Sequence, residues 1–201
     1  TTDIAIFTDG DIKHTAVIPL AGQMVTNDIR IGLRTSLEAA EDIKKRYGSL
    51  VNEKNDTEVN IPVPSISDKP ESEVNKPILT HIITCRMDEI FQQIEEEINS
   101  SGWASKIRAG IVFTGGGCKL NGLDTYAENK LLMPTRIGSP KNIIGIQNLS
   151  GKTRYSTAVG LLLYKDEKLN EMPHRQKSDN PFLKYLEVIW KKFSVYFQRE
   201  L

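Results

Sequence analysis

An acidic and a basic side chain lie three residues apart in the segment Glu41-Asp42-Ile43-Lys44-Lys45-Arg46. Residues at this spacing share one face of a helix. A carboxylate suits ribose hydroxyls, and the aliphatic stem of a lysine can cover the face of an adenine. The pattern indicates a candidate nucleoside site at Glu41 and Lys44, with Lys45 beside them. A solvated helix face held by salt bridges explains the same residues and is favoured for this motif alone.

Two other segments have the chemistry to bind phosphate or a nucleotide. Gly115, Gly116 and Gly117 end an apolar stretch, and glycines let a backbone approach a ligand closely. A tight strand-to-helix turn is the default interpretation of such a run. Thr1 and Thr2 stand at the start of a strand, where hydroxyls can bind phosphate oxygens or order a metal-bound water.

The elements that must position these residues begin with a β-hairpin over 2–8 and 12–18, with Asp9-Gly10 as its turn. Apolar residues at four-residue spacing predict a helix over 22–33. A second helix is predicted over about 36–47. Thr35 and Glu38 fit its capping box, and Gly48 fits its C-terminal stop. Because a strand stands at the very start, we expect further residues upstream or on another chain.

The middle of the chain changes from polar to strongly amphipathic. Three prolines and many charges predict loops over 52–76 with one edge strand at 59–63. Pro77 suits a helix start, and an apolar stripe predicts a helix to about Asn99. The remaining predicted elements are strands at 109–114 and 135–137 and helices near 123–132 and 153–164. The segment 165–181 has few apolar residues and predicts a flexible linker.

Strands and helices are mixed along the chain, which predicts an α/β fold. The polar stretch between the early helices and the strand at 109 indicates a small α+β subdomain inserted in a larger one. The predicted organisation is a larger part at 1–35 and 101–164, an inserted subdomain at 36–100, a linker at 165–181 and an amphipathic helix at 182–201.

Composition excludes several classes of protein. Twenty-six Lys and Arg balance twenty-six Asp and Glu, which argues against a nucleic-acid binder. No apolar run reaches about 20 residues, so the sequence predicts no transmembrane helix, and no secretory signal is visible. Cys85 and Cys118 are too few for a disulfide framework, and the three histidines lack metal-ligand spacing. We therefore predict no metal-ligating residues.

The final segment, 182–201, has an apolar, aromatic side and four basic against two acidic side chains. Such a helix suits an anionic membrane surface, at about 1 kcal/mol for each Lys or Arg near it. A helix docked on the domain core is the alternative, but the polar linker favours the membrane. The predicted membrane-contacting residues are Phe182, Leu186, Trp190, Lys191, Phe193 and Phe197.

One basic residue lies at the edge of the apolar stripe of the 77–99 helix. Arg86 falls between Ile82 and Ile90 on a helical wheel. Such an arginine either extends to solvent or meets an anionic partner, and the solvent interpretation is slightly favoured from the residues alone.

Taken together, the nucleotide motifs resemble the second half of the actin-like (ribonuclease H-like) ATPase superfamily. The closer resemblance is to the FtsA family of division proteins, carried by TTDIAIFTDGDIKHTAVIPLAGQMVTNDI, AEDIKKRYG, AGIVFTGGGCKLNGL, TRIGSP and RYSTAVGLLLY. The first half of that pattern, and the Asp-Ile-Gly-Gly-Gly before Thr1, lie outside this sequence.

The resemblance implies ATP and Mg²⁺ as cofactors. By this resemblance, Thr1 and Thr2 match the phosphate loop. Glu41, Lys44 and Lys45 match the ribose and adenine contacts, and Gly115 to Gly117 match the adenosine motif. No residue matches a clear general base, so no catalytic residue is assigned and at most weak ATPase activity is expected.

The resemblance also implies partners. These are the acidic C-terminal tail of FtsZ, held through Arg86, Glu89 and Ile90, further copies of the protein in a filament, the anionic inner membrane surface and other divisome proteins. The implied location is the cytoplasmic face of the inner membrane at the division septum. A soluble phosphotransferase such as a sugar kinase is the rival, although the tail has no purpose there. A nucleotide-free interaction fragment is a third possibility.

Overall fold

The computed structural model describes residues 1–66, 70–141 and 152–171. The chain divides into two compact units, Thr1–Val159 and Gly160–Leu201. In the described residues, strands and helices are mixed along the chain, as the sequence predicts for an α/β fold. No helix among these residues is long and apolar enough to cross a bilayer.

The chain begins with the predicted antiparallel hairpin, formed by β1 (Thr2–Thr8) and β2 (Asp11–Ile18). Asp9 and Gly10 make the turn with φ of 55° and 87°, the backbone that tight hairpins with the twist of their strands require. Side chains alternate across the ribbon, so Ile6 is buried while Phe7 is exposed. The hairpin prediction is confirmed.

Helix α1 (Gly22–Leu33) has the predicted bounds, and α2 (Leu37–Tyr47) follows it. The predicted capping box of α2 is wrong in its first residue. Ser36 caps the helix by accepting from the Ala39 N–H at 3.1 Å, whereas Thr35 turns away and donates to the Pro64 carbonyl at 2.7 Å. Thr35 is buried, so its hydroxyl serves a tertiary contact rather than the helix end.

Gly48 ends α2 as predicted, but for a different reason from a left-handed cap. Its φ is −62°, a value that any residue adopts. A Cβ at this position would lie 2.3 Å from the Lys44 carbonyl oxygen and 2.9 Å from Leu120 Cδ2. The glycine is therefore required by the close approach of the last turn of α2 and of the Leu120 side chain.

The predicted edge strand is β3 (Asn60–Val63), and it pairs with a strand that the sequence did not predict, β4 (Ser72–Asn75). β4 has a single apolar residue, so it lacks the hydrophobic alternation that marks a strand. Lys76, just after β4, pairs with buried Asp56 at 2.8 Å. This ion pair joins the 3₁₀ turn before β3 to the first residue of the next helix.

The long helix α3 (Lys76–Ser100) supplies more buried apolar residues than any other element that the structure describes. The predicted apolar stripe is buried, and all its members face inward: Leu79, Ile83, Met87, Ile90, Ile94 and Ile98. They cluster with Val25 and Ile29 of α1, Ile61 of β3 and Phe91. The core thus lies where α1 packs on α3, beside α2.

A β–α–β unit completes the first unit, with β5 (Ile111–Phe113) and β6 (Thr135–Ile137) parallel and α4 (Leu123–Leu131) between them. α5 (Ser156–Glu171) follows a short 3₁₀ turn. It continues past 165, where the sequence predicted a linker. No Gly or Pro occurs between Gly160 and Pro173 to stop it. The rest of that linker and the predicted amphipathic helix at 182–201 lie outside the described residues.

Candidate functional site

The acidic residue predicted to hold a ribose lies at the centre of a polar network between α1 and α2. Glu41 Oε2 is 2.7 Å from Lys44 Nζ and accepts a hydrogen bond from Thr26 Oγ1 at 2.5 Å. Glu41 Oε1 is 3.1 Å from Lys45 Nζ. Both carboxylate oxygens therefore have cationic partners, and the three predicted residues on α2 are brought together as the helical spacing requires.

Lys44 is more enclosed than the sequence pattern implied. Its side chain is 15% exposed, and its ammonium donates to the Gly22 carbonyl at 3.0 Å and to Thr26 Oγ1 at 2.7 Å. With Glu41, these acceptors match the three donors of an ammonium. The charge of Lys44 is thus used within the protein, which leaves its aliphatic stem as the part suited to a ligand.

The electrostatics of this network favour an ionised carboxylate. Burial raises the pKa of Glu41, but hydrogen bonds from Lys44, Thr26 and Lys45 together lower it by more. The resulting pKa of Glu41 is about 2. Hydrogen bonds to the charged form are the ordinary cause of such a shift. At neutral pH, Glu41 is an acceptor only, as recognition of hydroxyl groups requires.

An open cavity of about 480 Å³ lies against this network. Three carboxylates and one ammonium line it, so its wall attracts hydroxyl and amino donors rather than phosphate. The lining residues are Gln23, Thr26, Leu37, Glu38, Glu41, Asp42 and Lys45. Leu37 is half exposed and offers an apolar surface beside the acids.

The two threonines predicted to meet phosphate are placed at the start of β1. Thr2 Oγ1 donates to the Leu20 carbonyl at 2.7 Å, and exposed Thr1 donates to Asp3 Oδ2 at 3.3 Å. Leu20 precedes Gly22, whose carbonyl binds Lys44. Thr2 therefore connects to the Glu41 network through a short stretch of backbone.

The predicted glycine turn follows β5. Gly115 has φ of +96°, which a side chain would strain. A Cβ on any of Gly115, Gly116 or Gly117 would meet nothing within 4 Å, so this backbone lies open. The Gly115 N–H donates to the Thr153 carbonyl at 3.2 Å, and a 3₁₀ turn begins at Gly117.

The end of α2 joins the network to this glycine turn. Gly48 lies against Leu120, and Ser49 forms a parallel bridge with Asn121. The Leu50 N–H donates to the Asn121 carbonyl at 2.9 Å. All three predicted nucleotide motifs consequently belong to one unit, with α2 connecting the carboxylate to the glycines.

Arg86 on α3 is not the lone cation that the helical wheel indicated. Its Nε and Nη2 pair with the two carboxylate oxygens of Asp28 on α1, at 2.5 and 3.0 Å, and Nη1 pairs with Glu89. The hydrogen bonds that Arg86 donates to Asp28 raise the pKa of Arg86. Ile90 is 4% exposed, so its predicted role in partner binding does not match its place in the core.

Two residues important to these sites were missed from the sequence, Thr26 and Asp28. Both lie on α1, outside the predicted site residues, and their partners are distant in the chain. Asp28 and Arg86 are 58 positions apart. Thr26 stands among the apolar residues of a helix, where a buried threonine gives no local signal of its bonding.

The described ranges give no preformed cage for Mg²⁺. Within residues 1–66, 70–141 and 152–171, no group of three or more His, Cys, Asp or Glu side chains is arranged to hold a metal ion. Mg²⁺ usually keeps several waters and binds through one or two carboxylates plus substrate phosphates. Asp3, exposed beside the two threonines, is the carboxylate that suits such a bridged arrangement.

Comparison with known sequences identifies a family. The family model described as "Cell division protein FtsA" matches residues 1–160. FtsA of Pseudomonas aeruginosa is 43% identical over 171 residues, which are 85% of this chain and 41% of that protein. FtsA of Escherichia coli (strain K12) is 36% identical over 178 residues, 85% of this chain and 42% of that protein. The chain thus spans less than half the length of these relatives.

Solved structures are similar in fold at low identity. MreB5 of Spiroplasma citri bound to ADP aligns with a TM-score of 0.67 and 22% identity, covering 85% of this chain and 52% of that chain. The MamK double helical filament aligns with a TM-score of 0.54 and 18% identity, covering 69% and 46%. The actin-like fold predicted from the sequence is confirmed by this likeness.

Proposed function

The chain belongs to the FtsA family of cell division proteins, and on this premise we propose that it forms part of an ATP site. We also propose that the protein that carries this chain tethers FtsZ filaments to the membrane. The observation that carries the nucleotide part is the ionised Glu41 beside the α1–α2 cavity. The MreB5 structures, solved with ADP and with AMPPNP, support it by analogy of fold.

Each predicted residue has a role in this proposal. Glu41 accepts from the ribose hydroxyls, the stem of Lys44 covers the adenine, and Lys45 lies at the cavity mouth. The open glycine turn at Gly115–Gly117 approaches the adenosine. Thr1 and Thr2 face the phosphates, which carry Mg²⁺. Bound nucleotide acts mainly as a structural and assembly cofactor in this proposal, because no residue of the sequence is assigned as a general base.

The test of this proposal is Glu41→Gln in the protein that carries this chain. Losing hydrogen bonds to a charged group costs about 1.5–3 kcal/mol, so ATP affinity should fall at least about tenfold by calorimetry. Glu96→Gln, an exposed acid of α3 bonded to Gln92, is the matched control and should bind as the unaltered protein does. Equal affinity of Glu41→Gln and the control would contradict a nucleoside site at Glu41.

For the FtsZ tail, we propose that an acidic peptide competes with Asp28 for Arg86 on α3. Asp28→Asn should then strengthen binding of the FtsZ tail peptide, while Arg86→Glu should weaken it, both measured by fluorescence anisotropy. Glu89 is mostly exposed and lies at the rim of this contact. Unchanged affinity in both variants would remove Arg86 from the site.

For the membrane, we propose that 182–201 anchors the protein to the anionic cytoplasmic face of the inner membrane at the septum. Its basic and aromatic composition supports this. Removing 182–201 should abolish flotation with anionic liposomes, and continued flotation would contradict the anchor.

Self-assembly into filaments and contact with other divisome proteins complete the proposed role. The MamK double helical filament supports filament formation through the shared fold. A sugar kinase is disfavoured because the FtsA match covers residues 1–160.

A further inference from the structure

Thr26 is a buried hydroxyl at the back of the candidate nucleotide site. Its relative exposure is 0%, and it lies on α1 facing α2. Its Oγ1 is 2.5 Å from Glu41 Oε2, 2.7 Å from Lys44 Nζ and 3.1 Å from the Gly22 carbonyl oxygen. It therefore contacts both side chains that the proposed site assigns to the nucleoside.

The hydrogen bonding capacity of a hydroxyl decides how these contacts are shared. A threonine has one proton to donate and two lone pairs to accept with. The lysine ammonium can only donate, so Oγ1 accepts from Lys44. The single proton goes to ionised Glu41, the nearer and charged acceptor, rather than to the Gly22 carbonyl. The hydroxyl thus bridges an anion and a cation in one fixed direction.

We propose that Thr26 is a positioning residue for nucleotide binding, which rests on the proposed function. Its hydroxyl holds the Glu41 carboxylate and the Lys44 stem in one arrangement before the ligand arrives. Glutamate and lysine side chains lose much rotamer freedom when they are ordered. Fixing them in the free protein removes that cost from the binding step.

The direct test compares Thr26→Val, which keeps the shape and removes the hydroxyl, with Thr26→Ser, which keeps the hydroxyl. ATP affinity should fall about tenfold in the valine variant, since hydrogen bonds to charged groups are lost, and the serine variant should restore most of it. Thr80→Val on α3 is the matched control, because Thr80 is also buried and its hydroxyl has no hydrogen-bond partner among the residues that the structure describes. Its ATP affinity should not change.

A second readout separates positioning from packing and needs no nucleotide. The pKa of Glu41 should rise above about 2 in Thr26→Val and return in Thr26→Ser, followed through the side-chain carboxyl carbon by NMR. Thr26→Ala serves the same purpose where the valine variant does not fold. Thr80→Val should leave this titration unchanged.

The outcomes distinguish the two proposals. An unaltered protein that binds no ATP, with a Glu41 titration that still responds to Thr26→Val, would overturn the nucleotide site and leave the Thr26 bridge standing. A protein that binds ATP equally with threonine and valine at position 26 would overturn the positioning role. An unchanged Glu41 titration in the valine and alanine variants would also overturn it.

Discussion

Helix α1 carries two polar contacts within one turn, at Thr26 and Asp28, and they differ in how completely they are closed. Toward α2, Thr26 joins a network in which Glu41 and Lys45 remain partly exposed beside an open cavity. Toward α3, Asp28 and Arg86 form a two-point ion pair with both side chains about one-fifth exposed. The first contact leaves carboxylate oxygens available to a ligand. In the second contact, the charged groups of Asp28 and Arg86 are already paired with each other.

This difference shows how one helix can contribute to a binding site on one side and stabilise helix packing on the other. A carboxylate beside a cavity accepts further donors without losing its present ones. A bidentate arginine pair can exchange a partner only when another charge takes its place, because a mostly buried charge is otherwise left unpaired. We therefore expect nucleotide effects at the α2 side of α1. At the α3 side we expect mainly stability effects, with peptide binding only where an acidic group replaces Asp28.

The largest expected effect comes from the core residue that supports both contacts. Ile29 on α1 is fully buried, and Ile29→Ala should lower the free energy of unfolding by about 2–5 kcal/mol. Urea unfolding measures it. Ile31→Ala, an exposed residue of the same helix, should change stability by less than about 0.5 kcal/mol. A small effect of Ile29→Ala would mean that α1 does not hold the two contacts together.

The closed contact should give the next largest effect. Arg86→Gln leaves Asp28 without its charged partner and should lower the free energy of unfolding by about 1–3 kcal/mol. Arg46→Gln is the matched control, because its pair with Asp42 is exposed and is worth about 0.3–0.5 kcal/mol. Adding Asp28→Asn to Arg86→Gln should recover part of the loss. Strict additivity of the two substitutions would show that the pair is not coupled.

The contact between α1 and α2, which includes Glu41, should make stability depend on pH, with a smaller effect than the two above. The pKa of Glu41 is about 2 in the folded protein, below its ordinary value of 4.5. Its contribution to stability is therefore complete above pH 4.5 and is lost as the pH falls toward 2. The stability difference between the unaltered protein and Glu41→Gln should shrink over that interval in acid-dependent urea unfolding. A constant difference would contradict the assigned network.

Much of the fold follows from local sequence signals. The Asp-Gly turn, the four-residue apolar spacing of α1 and the stripe of α3 gave the hairpin and both helices with nearly their observed bounds. The turn angles and the inward face come from chain geometry over a few residues, which sequence patterns express directly. β4 was not predicted, because its pairing with β3 relies on backbone hydrogen bonds rather than on apolar side chains.

Local sequence patterns predicted only part of the candidate site. Glu41 and Lys44 share a helix face, so their spacing alone predicted that they meet. Thr26 and Asp28 act across tertiary contacts, and no local pattern states which distant residue a buried hydroxyl or an acid will find. The same reason explains Thr35, whose hydroxyl left a predicted helix cap for the Pro64 carbonyl.

The close approach at Gly48 makes α2 a spacer of fixed length. A side chain at position 48 would clash with the Lys44 carbonyl and with Leu120. The end of the helix is therefore held close to the glycine turn. Inserting one residue between Glu41 and Gly48 would rotate the carboxylate by about 100° around the helix axis while that end stayed fixed. The number of residues in this half of α2 is therefore as much a part of the site as the identity of Glu41.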